Sequence, residues 1–494
     1  LTHLRQRQHL RRRYRVIAAY GGLIFFLLGL LIIAPLSALL AWPGEAGRVW
    51  WFLLPGGGLA ALGAGLWLSL RPEEPAPLTT SEGAVIVVLA WAAAMLVGAV
   101  PLMGCAGLDF TRAVFEATSG WTTTGLSVVD VAKAGHLVLL YRSIMQLSGG
   151  AGLAILMLAA FGGPLGVGLS AAEGRERQLV PQVRQSTRLV VSIYAGYSLV
   201  GLVALRLAGM DWFDAVNHSF CAVSTGGFST RPESIGYWDS PLVEAVTIPL
   251  MILGNLNFLT SYALLKGRWR AVVKNGEVRL MAFLFPVGLA VIFISATASM
   301  FPGLAKSLRV AVFETVTSLT TTGYSTVDYR GFNPTAMLVF IPFMLIGGGV
   351  CSTAGGIKQF RIYALWRTLL WEFRRHLLPR SAVSQAQVWE GDNREPLADA
   401  SLRQIAVFAF LYLVLFFLGS AWLSAHGFSL SDSLFEFASA LGTVGLSVGV
   451  TSSAAPAAVL WAETLAMLLG RLEFFVVGIG VVKIMRDGKW LIGN

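Results

Sequence analysis

Residues 114–127 read Val-Phe-Glu-Ala-Thr-Ser-Gly-Trp-Thr-Thr-Thr-Gly-Leu-Ser, and residues 312–325 repeat the pattern as Val-Phe-Glu-Thr-Val-Thr-Ser-Leu-Thr-Thr-Thr-Gly-Tyr-Ser. A third copy, 434–447, reads Leu-Phe-Glu-Phe-Ala-Ser-Ala-Leu-Gly-Thr-Val-Gly-Leu-Ser. The most divergent, 216–229, reads Val-Asn-His-Ser-Phe-Cys-Ala-Val-Ser-Thr-Gly-Gly-Phe-Ser. Superposed, Gly125, Gly227, Gly323 and Gly445 share one column. Internal repetition on this scale marks an architecture assembled from copies of one unit.

The 494 residues around these copies are 55% hydrophobic and 13% charged. Mean hydropathy is +0.68. A typical soluble domain carries about 25% charged residues, so a soluble enzyme is excluded. Apolar runs long enough to cross a ~30 Å hydrocarbon core lie at about 16–41, 50–70, 84–104, 136–161, 189–208, 243–265, 280–300, 334–357, 404–424 and 456–482, which gives ten crossings. The first is too long for the apolar region of a signal peptide and reads as a span. Net charge is +10, and 27 of the 37 Lys and Arg residues fall on the side that carries the basic start Arg5, Arg7, Arg11, Arg12, Arg13 and Arg15. The positive-inside rule makes that side cytoplasmic, with both termini there, and the basic charge implies no nucleic-acid partner. Cys105, Cys221 and Cys351 are too few and too scattered for a disulfide framework or a metal site.

Each copy lies on the outer side between two crossings. The fold expected is an all-α integral membrane protein of four pseudo-repeats, each a helix, a re-entrant pore loop and a helix, around one central pore. Two extra transmembrane helices precede the repeats. The corresponding divisions are a basic cytoplasmic N-terminus at 1–15, the two extra helices at 16–82 and repeat 1 at 83–162. A cytoplasmic loop with repeat 2 occupies 163–265, and another with repeat 3 occupies 266–357. A cytoplasmic helix extension and loop fill 358–403, then repeat 4 and the C-terminus fill 404–494. Irregular backbone at membrane depth is tolerated only where it is buried in protein or lines a water-filled path. A short helix running inward through Val-Phe-Glu aims its negative end at the axis, where a cation gains from the macrodipole. Glycine then permits conformations that turn carbonyls toward an ion, and rings of carbonyls can replace the hydration shell of a monovalent cation.

The residues Ser119-Gly120-Trp121-Thr122-Thr123-Thr124-Gly125, Val223-Ser224-Thr225-Gly226-Gly227-Phe228-Ser229-Thr230 and Thr320-Thr321-Thr322-Gly323-Tyr324 resemble the pore loops of the Trk/Ktr/HKT superfamily of potassium transporters. The two extra N-terminal helices make the chain most similar to the bacterial Trk membrane subunit. The resemblance implies a potassium-binding filter of Thr122, Thr123, Thr124 and Gly125; Ser224, Thr225, Gly226 and Gly227; Thr320, Thr321, Thr322 and Gly323; and Gly442, Thr443, Val444 and Gly445. Potassium is then the substrate and no cofactor is needed. In that family glycine in all four columns accompanies potassium selectivity. The fourth loop departs from Thr-Thr-Thr-Gly, which preserves its carbonyls but removes hydroxyl support.

Glycine clusters at 149–152, 254, 347 and 470 suggest that each inner helix bends below its filter. Gly347-Gly348-Gly349-Val350-Cys351-Ser352-Thr353-Ala354-Gly355-Gly356 is extreme, because five glycines at ~1 kcal/mol each disfavour a continuous helix. An unwound segment facing the pore is expected, and a patch of small residues packing helices is the alternative. The resemblance implies an intramembrane gating loop here, involving Gly347, Gly348, Gly349, Ser352, Thr353, Gly355 and Gly356 and running into Lys358. Arg471 lies mid-span, where a charge costs ~2.5–3.5 kcal/mol, and must face a cavity or a partner. Glu473, two positions on, is badly placed to pair with it, so carbonyls or hydroxyls of the 347–356 loop are better candidates. The resemblance adds an arginine of the gate at this position.

Glu116, Glu314 and Glu436 share a column with His218. The expected role is hydrogen bonding to adjoining backbone, while a multi-span membrane enzyme using these groups is the different-class alternative. Lys358, Arg361 and Arg367 read as positive-inside charges. Trp366, Leu370, Phe373, Arg374, Arg375 and His376 suit either membrane lipid or a docking surface. The resemblance implies a homodimer in the bacterial inner membrane, seated on a cytosolic nucleotide-binding TrkA-type regulatory ring. Sequence alone does not separate a channel from sodium- or proton-coupled transport.

Overall fold

Asp109, Asp211 and Ser429 each stand just before a short helix and accept a backbone N–H three residues on, at 2.9, 2.7 and 3.1 Å. Such caps satisfy otherwise orphaned donors and fix where a helix starts. They open the half-helices Phe110–Trp121, Trp212–Val223 and Leu430–Leu441, while Gly303 precedes the fourth, Leu304–Leu319. These assignments come from a computed structural model that describes residues 2–73, 78–152, 183–379, 384–390 and 393–492.

Each half-helix sits between a long outer helix and an inner helix. Repeat 1 runs Thr80–Ala106, Phe110–Trp121, His136–Ala151, and repeat 2 runs Val183–Leu207, Trp212–Val223, Pro241–Asn255. Repeat 3 has the apolar stretch Gly276–Met300, then Leu304–Leu319 and Pro334–Ile346. Repeat 4 runs Asp399–Ala425, Leu430–Leu441, Ala457–Leu472. The two extra helices, Thr2–Ile33 and Val49–Leu70, press together along small residues: a β-carbon on Gly22 would lie 2.7 Å from the Gly63 carbonyl. Close backbone approach of this kind is how apolar helices associate without a hydrophobic drive.

Among the described residues, six of the ten expected crossings coincide with single helices long and apolar enough to span, and two more with bent helix pairs. The bends expected at Gly254 and Gly470 are present: 243–265 consists of Pro241–Asn255 and Phe258–Leu265, bent by 119°. The segment 456–482 breaks likewise into Ala457–Leu472 and a helix beginning at Phe474, bent by 101°. Pro334–Ile346 ends at Gly347, and His136–Ala151 ends at the edge of the described residues, so 153–161 and the basic Arg175 and Arg177 lie outside them. One correction concerns 358–403, read as helix then loop. After Gln359–Leu377 an antiparallel hairpin pairs Gln387–Glu390 with Asn393–Pro396. Val388, buried in it, packs with Tyr363 and Ile405.

Candidate ion pathway

The four column glycines form a closed ring. A β-carbon on Gly125 would overlap the carbonyl oxygen of Gly226, one on Gly227 that of Thr322, one on Gly323 that of Val444, and one on Gly445 that of Thr124. Repeat 1 therefore abuts 2, 2 abuts 3, 3 abuts 4 and 4 returns to 1. Each glycine has positive φ, from 75° to 99°. Two positions earlier, Thr123, Thr225, Thr321 and Thr443 have φ of 56, 50, 53 and 49°. A left-handed conformation at a β-branched residue is costly, and its recurrence four times marks a backbone held by its surroundings. The N–H of Thr124, Gly226, Thr322 and Val444 each donates to the carbonyl five residues back, at 2.8–3.0 Å. All four glycines line one cavity of about 570 Å³, together with Ser127, Ser229, Ser325 and Ser447.

The acidic column behaves as hydrogen-bonding support. Glu116 accepts from Ser127 Oγ (2.9 Å) and Val128 N–H (2.8 Å). Glu314 accepts from Thr326 N–H and Oγ1 and from the Tyr329 hydroxyl. Glu436 accepts from Ser447 Oγ, Val448 N–H and Thr451 N–H at 2.6–2.9 Å. His218 bridges the Asp214 carbonyl and Ser229 Oγ. Each group thus ties its half-helix to the strand that climbs out of the ring.

Two residues that the sequence reading passed over join neighbouring repeats. Arg142, 2% exposed, donates to Glu116 (2.8 Å), Ser127 Oγ (3.0 Å) and the Ser229 carbonyl (3.1 Å), with its guanidinium 3.9 Å over the Phe228 ring. Gln146 donates to the Gly226 carbonyl and accepts from Phe228 N–H (3.1 Å). Two polar residues four apart in an apolar span were the available signal.

Beneath the ring the symmetry ends. The chain from Gly347 to Lys358 is unwound, as expected, with Gly347, Cys351, Gly356 and Lys358 at positive φ. It doubles back on itself: Gly348 N–H donates to Gly355, Ile357 to Leu345 and Lys358 to Ile346. The break in repeat 2 holds it, with Gly349 N–H on the Asn255 carbonyl (3.1 Å) and Thr353 Oγ1 on the Gly254 carbonyl (2.9 Å). Buried Glu277, also missed from sequence, accepts from Val350 N–H (2.7 Å). The loop reaches the ring from below: Thr353 Oγ1 is 3.1 Å from Thr225 Oγ1, and Gly355 N–H donates to Thr321 Oγ1 at 3.0 Å. A β-carbon on Gly355 would overlap Thr443. Ser352 stays within the loop, donating to the Gly349 carbonyl, and Lys358 Nζ bonds the Ala354 carbonyl.

Arg471 donates to the Thr353 carbonyl and to those of Gly149 (2.6 Å) and Gly150 (3.0 Å). It therefore joins the loop of repeat 3 to the end of the repeat 1 inner helix. Glu473 turns away, as the spacing implied, and takes Arg361 in two bonds of 2.8 Å. Arg361, read as a mere positive-inside charge, is instead a mostly buried ion-pair partner lying 4.0 Å over Phe408. Arg367 donates to the Gln387 carbonyl of the hairpin.

Four repeats of helix, re-entrant loop and helix around one opening, with an unwound segment and an arginine beneath it, fit a multi-span membrane transport protein. The chain belongs to the TrkH family, described as cation transport proteins, which it matches over residues 58–491. It is 31% identical to the Trk system potassium uptake protein TrkH of Halomonas elongata, over 94% of this chain and 97% of that one. It is 30% identical to TrkH of Escherichia coli K12 over the same shares. Its fold matches the crystal structure of the potassium transporter TrkH from Vibrio parahaemolyticus with a TM-score of 0.82 and 26% identity, covering 94% of this chain and 98% of that one. The family is one of transporters, which sets aside the membrane-enzyme reading of Glu116, Glu314, Glu436 and His218.

Proposed function

We propose that this chain is a potassium-selective uptake subunit of the Trk type, in a bacterial inner membrane with both termini cytoplasmic. The observation that carries the reading is the closed ring in which each column glycine abuts the carbonyl of the next repeat. Carbonyls from residues 122–125, 224–227, 320–323 and 442–445 replace the hydration of a monovalent cation, and the ring contains no carboxylate. Thr123 and Thr443, whose buried hydroxyls have no hydrogen-bond partner, offer oxygens to the same ion. The 347–356 loop, with Lys358 and Arg471, is the gate: it touches Thr225 and Thr321 and blocks the way below them.

The relatives from Halomonas elongata and Escherichia coli are named potassium uptake proteins of the Trk system. Their naming as part of a Trk system supports a membrane subunit that works with other components; we extend this to a homodimer on a cytosolic nucleotide-binding ring of the TrkA type, docked on the basic surface around 358–403, with membrane lipid over the exposed apolar flanks. The test is rubidium uptake into liposomes holding the purified chain, with sodium and lithium as competitors. Uptake blocked by potassium and little affected by sodium supports the reading; equal competition by sodium overturns potassium selectivity.

A further inference from the structure

Gly149 and Gly470 are structurally equivalent, since a β-carbon on either would overlap the last carbonyl of its half-helix, that of Trp121 or Leu441. Seven residues before them stand Arg142 and Glu463. Both side chains are buried, at 2% and 0% exposure. Repeat 1 thus places Arg142 against its column acid, Glu116. Repeat 4 keeps the column acid, Glu436, and sets a second acid where the arginine would be.

Thr451 joins the two carboxyls, giving its N–H to Glu436 (2.9 Å) and its hydroxyl to Glu463 Oε2 (3.1 Å). Glu436 has two further donors, Ser447 and Val448. Glu463 Oε1 has no hydrogen-bond partner.

The charged groups on the surrounding elements are committed elsewhere. On Phe110–Trp121, Arg112 binds Asp109 and the Ser453 carbonyl, and Glu116 binds Arg142. On Leu430–Leu441, Asp432 sits in the first turn and Glu436 is the charged neighbour. Asp399 and Arg403 of the outer helix, His426 at its end, and Lys489 are exposed. Lys483 and Arg486 pair with Asp487, Arg471 holds the gate carbonyls, and Glu473 holds Arg361.

Two buried carboxyls joined through one threonine, with no basic side chain among the described residues paired to either, cannot both be ionised. Three donors favour the charge on Glu436, against one on Glu463. We propose that Glu463 is a proton-binding site peculiar to the fourth repeat, occupied at neutral pH, whose loss of its proton at alkaline pH lowers ion throughput. Ionised Glu463 repels Glu436, and Glu436 anchors the strand leaving the ring at Ser447, Val448 and Thr451.

The proposal rests on the transport reading only for its flux measurement. Rubidium flux of the wild type should fall by about threefold or more from neutral to alkaline pH, while Glu463→Gln matches it at neutral pH and loses that fall. Glu463→Arg, which rebuilds the repeat 1 pair, should also give a flat profile, and it serves if Glu463→Gln fails to fold. Superimposable profiles for wild type and variant would overturn the proposal. Infrared difference spectra of the purified protein need no flux: a protonated-carboxyl C=O band present at neutral pH and missing from the variant supports it. Absence of that band from the wild type overturns it, whatever the protein transports, and would point to a bound cation between two carboxylates instead.

Discussion

At the plane of Thr123, Thr225, Thr321 and Thr443 the four repeats share one backbone conformation, and below it each contributes a different part. In the ring, φ at corresponding positions differs by at most 7° among the threonines, and each glycine abuts the next repeat's carbonyl. In the layer beneath, repeat 1 contributes helix-end carbonyls, repeat 2 a 119° break, repeat 3 an unwound loop and repeat 4 an arginine. Surrounding an ion with equal oxygens calls for copies. Closing a path needs one part to move relative to the others, and therefore calls for inequality.

The strongest attack on this contrast is within the ring. Gly323→Ala places a β-carbon into the Val444 carbonyl at φ +80°, and we expect at least about a tenfold loss of rubidium uptake, equivalent to ~1.4 kcal/mol or more. Normal uptake would show that the ring is not the conducting element. Next, Arg471→Ala removes charge-assisted bonds to three carbonyls, each worth ~1.5–3 kcal/mol. Flux should rise severalfold with potassium preference intact, and unchanged flux, also after deletion within 347–356, would remove the gate from this layer.

Gly125→Ser alters one quarter of the ring and should admit sodium, read as sodium competition for rubidium uptake; unaltered competition would count against glycine geometry as the source of selectivity. Glu473→Gln weakens the two-bond tie to Arg361 and should raise basal flux by less than about threefold, because a pair of this kind contributes ~1–2 kcal/mol. Smallest of all, Val444→Thr supplies the hydroxyl that Thr124 and Thr322 share with Thr122 and Thr320 at 2.8 Å. Uptake and stability should stay within ~0.5 kcal/mol of wild type.

The symmetric half of the molecule was legible because repetition writes itself into sequence: the four loops, the glycine column, the acids and the helix-breaking clusters all stood at matching positions. The 347–356 loop and Arg471 were legible for a different reason, since glycines and a charge are costly inside a membrane span. What escaped was whatever depends on which repeat adjoins which. Gln146 serves the loop of repeat 2, Glu277 holds the loop of repeat 3 from the start of its outer helix, and Arg361 finds its partner 112 residues away. None of these pairings follows from the chain order of the residues involved. The hairpin at 387–396 was hidden by its polar, exposed second strand, Asn393–Pro396.

The contact between Gly445 and Thr124 bears on how the molecule is made. The two residues lie 321 positions apart in the chain, and pairings so remote in sequence form slowly. A ribosome feeding this chain into a bilayer delivers three quarters of the ring long before the segment that completes it. Until the last quarter arrives, the left-handed threonines of the first three lack the neighbour that closes their circle. The ring thus closes only once the fourth repeat has been made, and Arg471 follows 26 residues beyond Gly445.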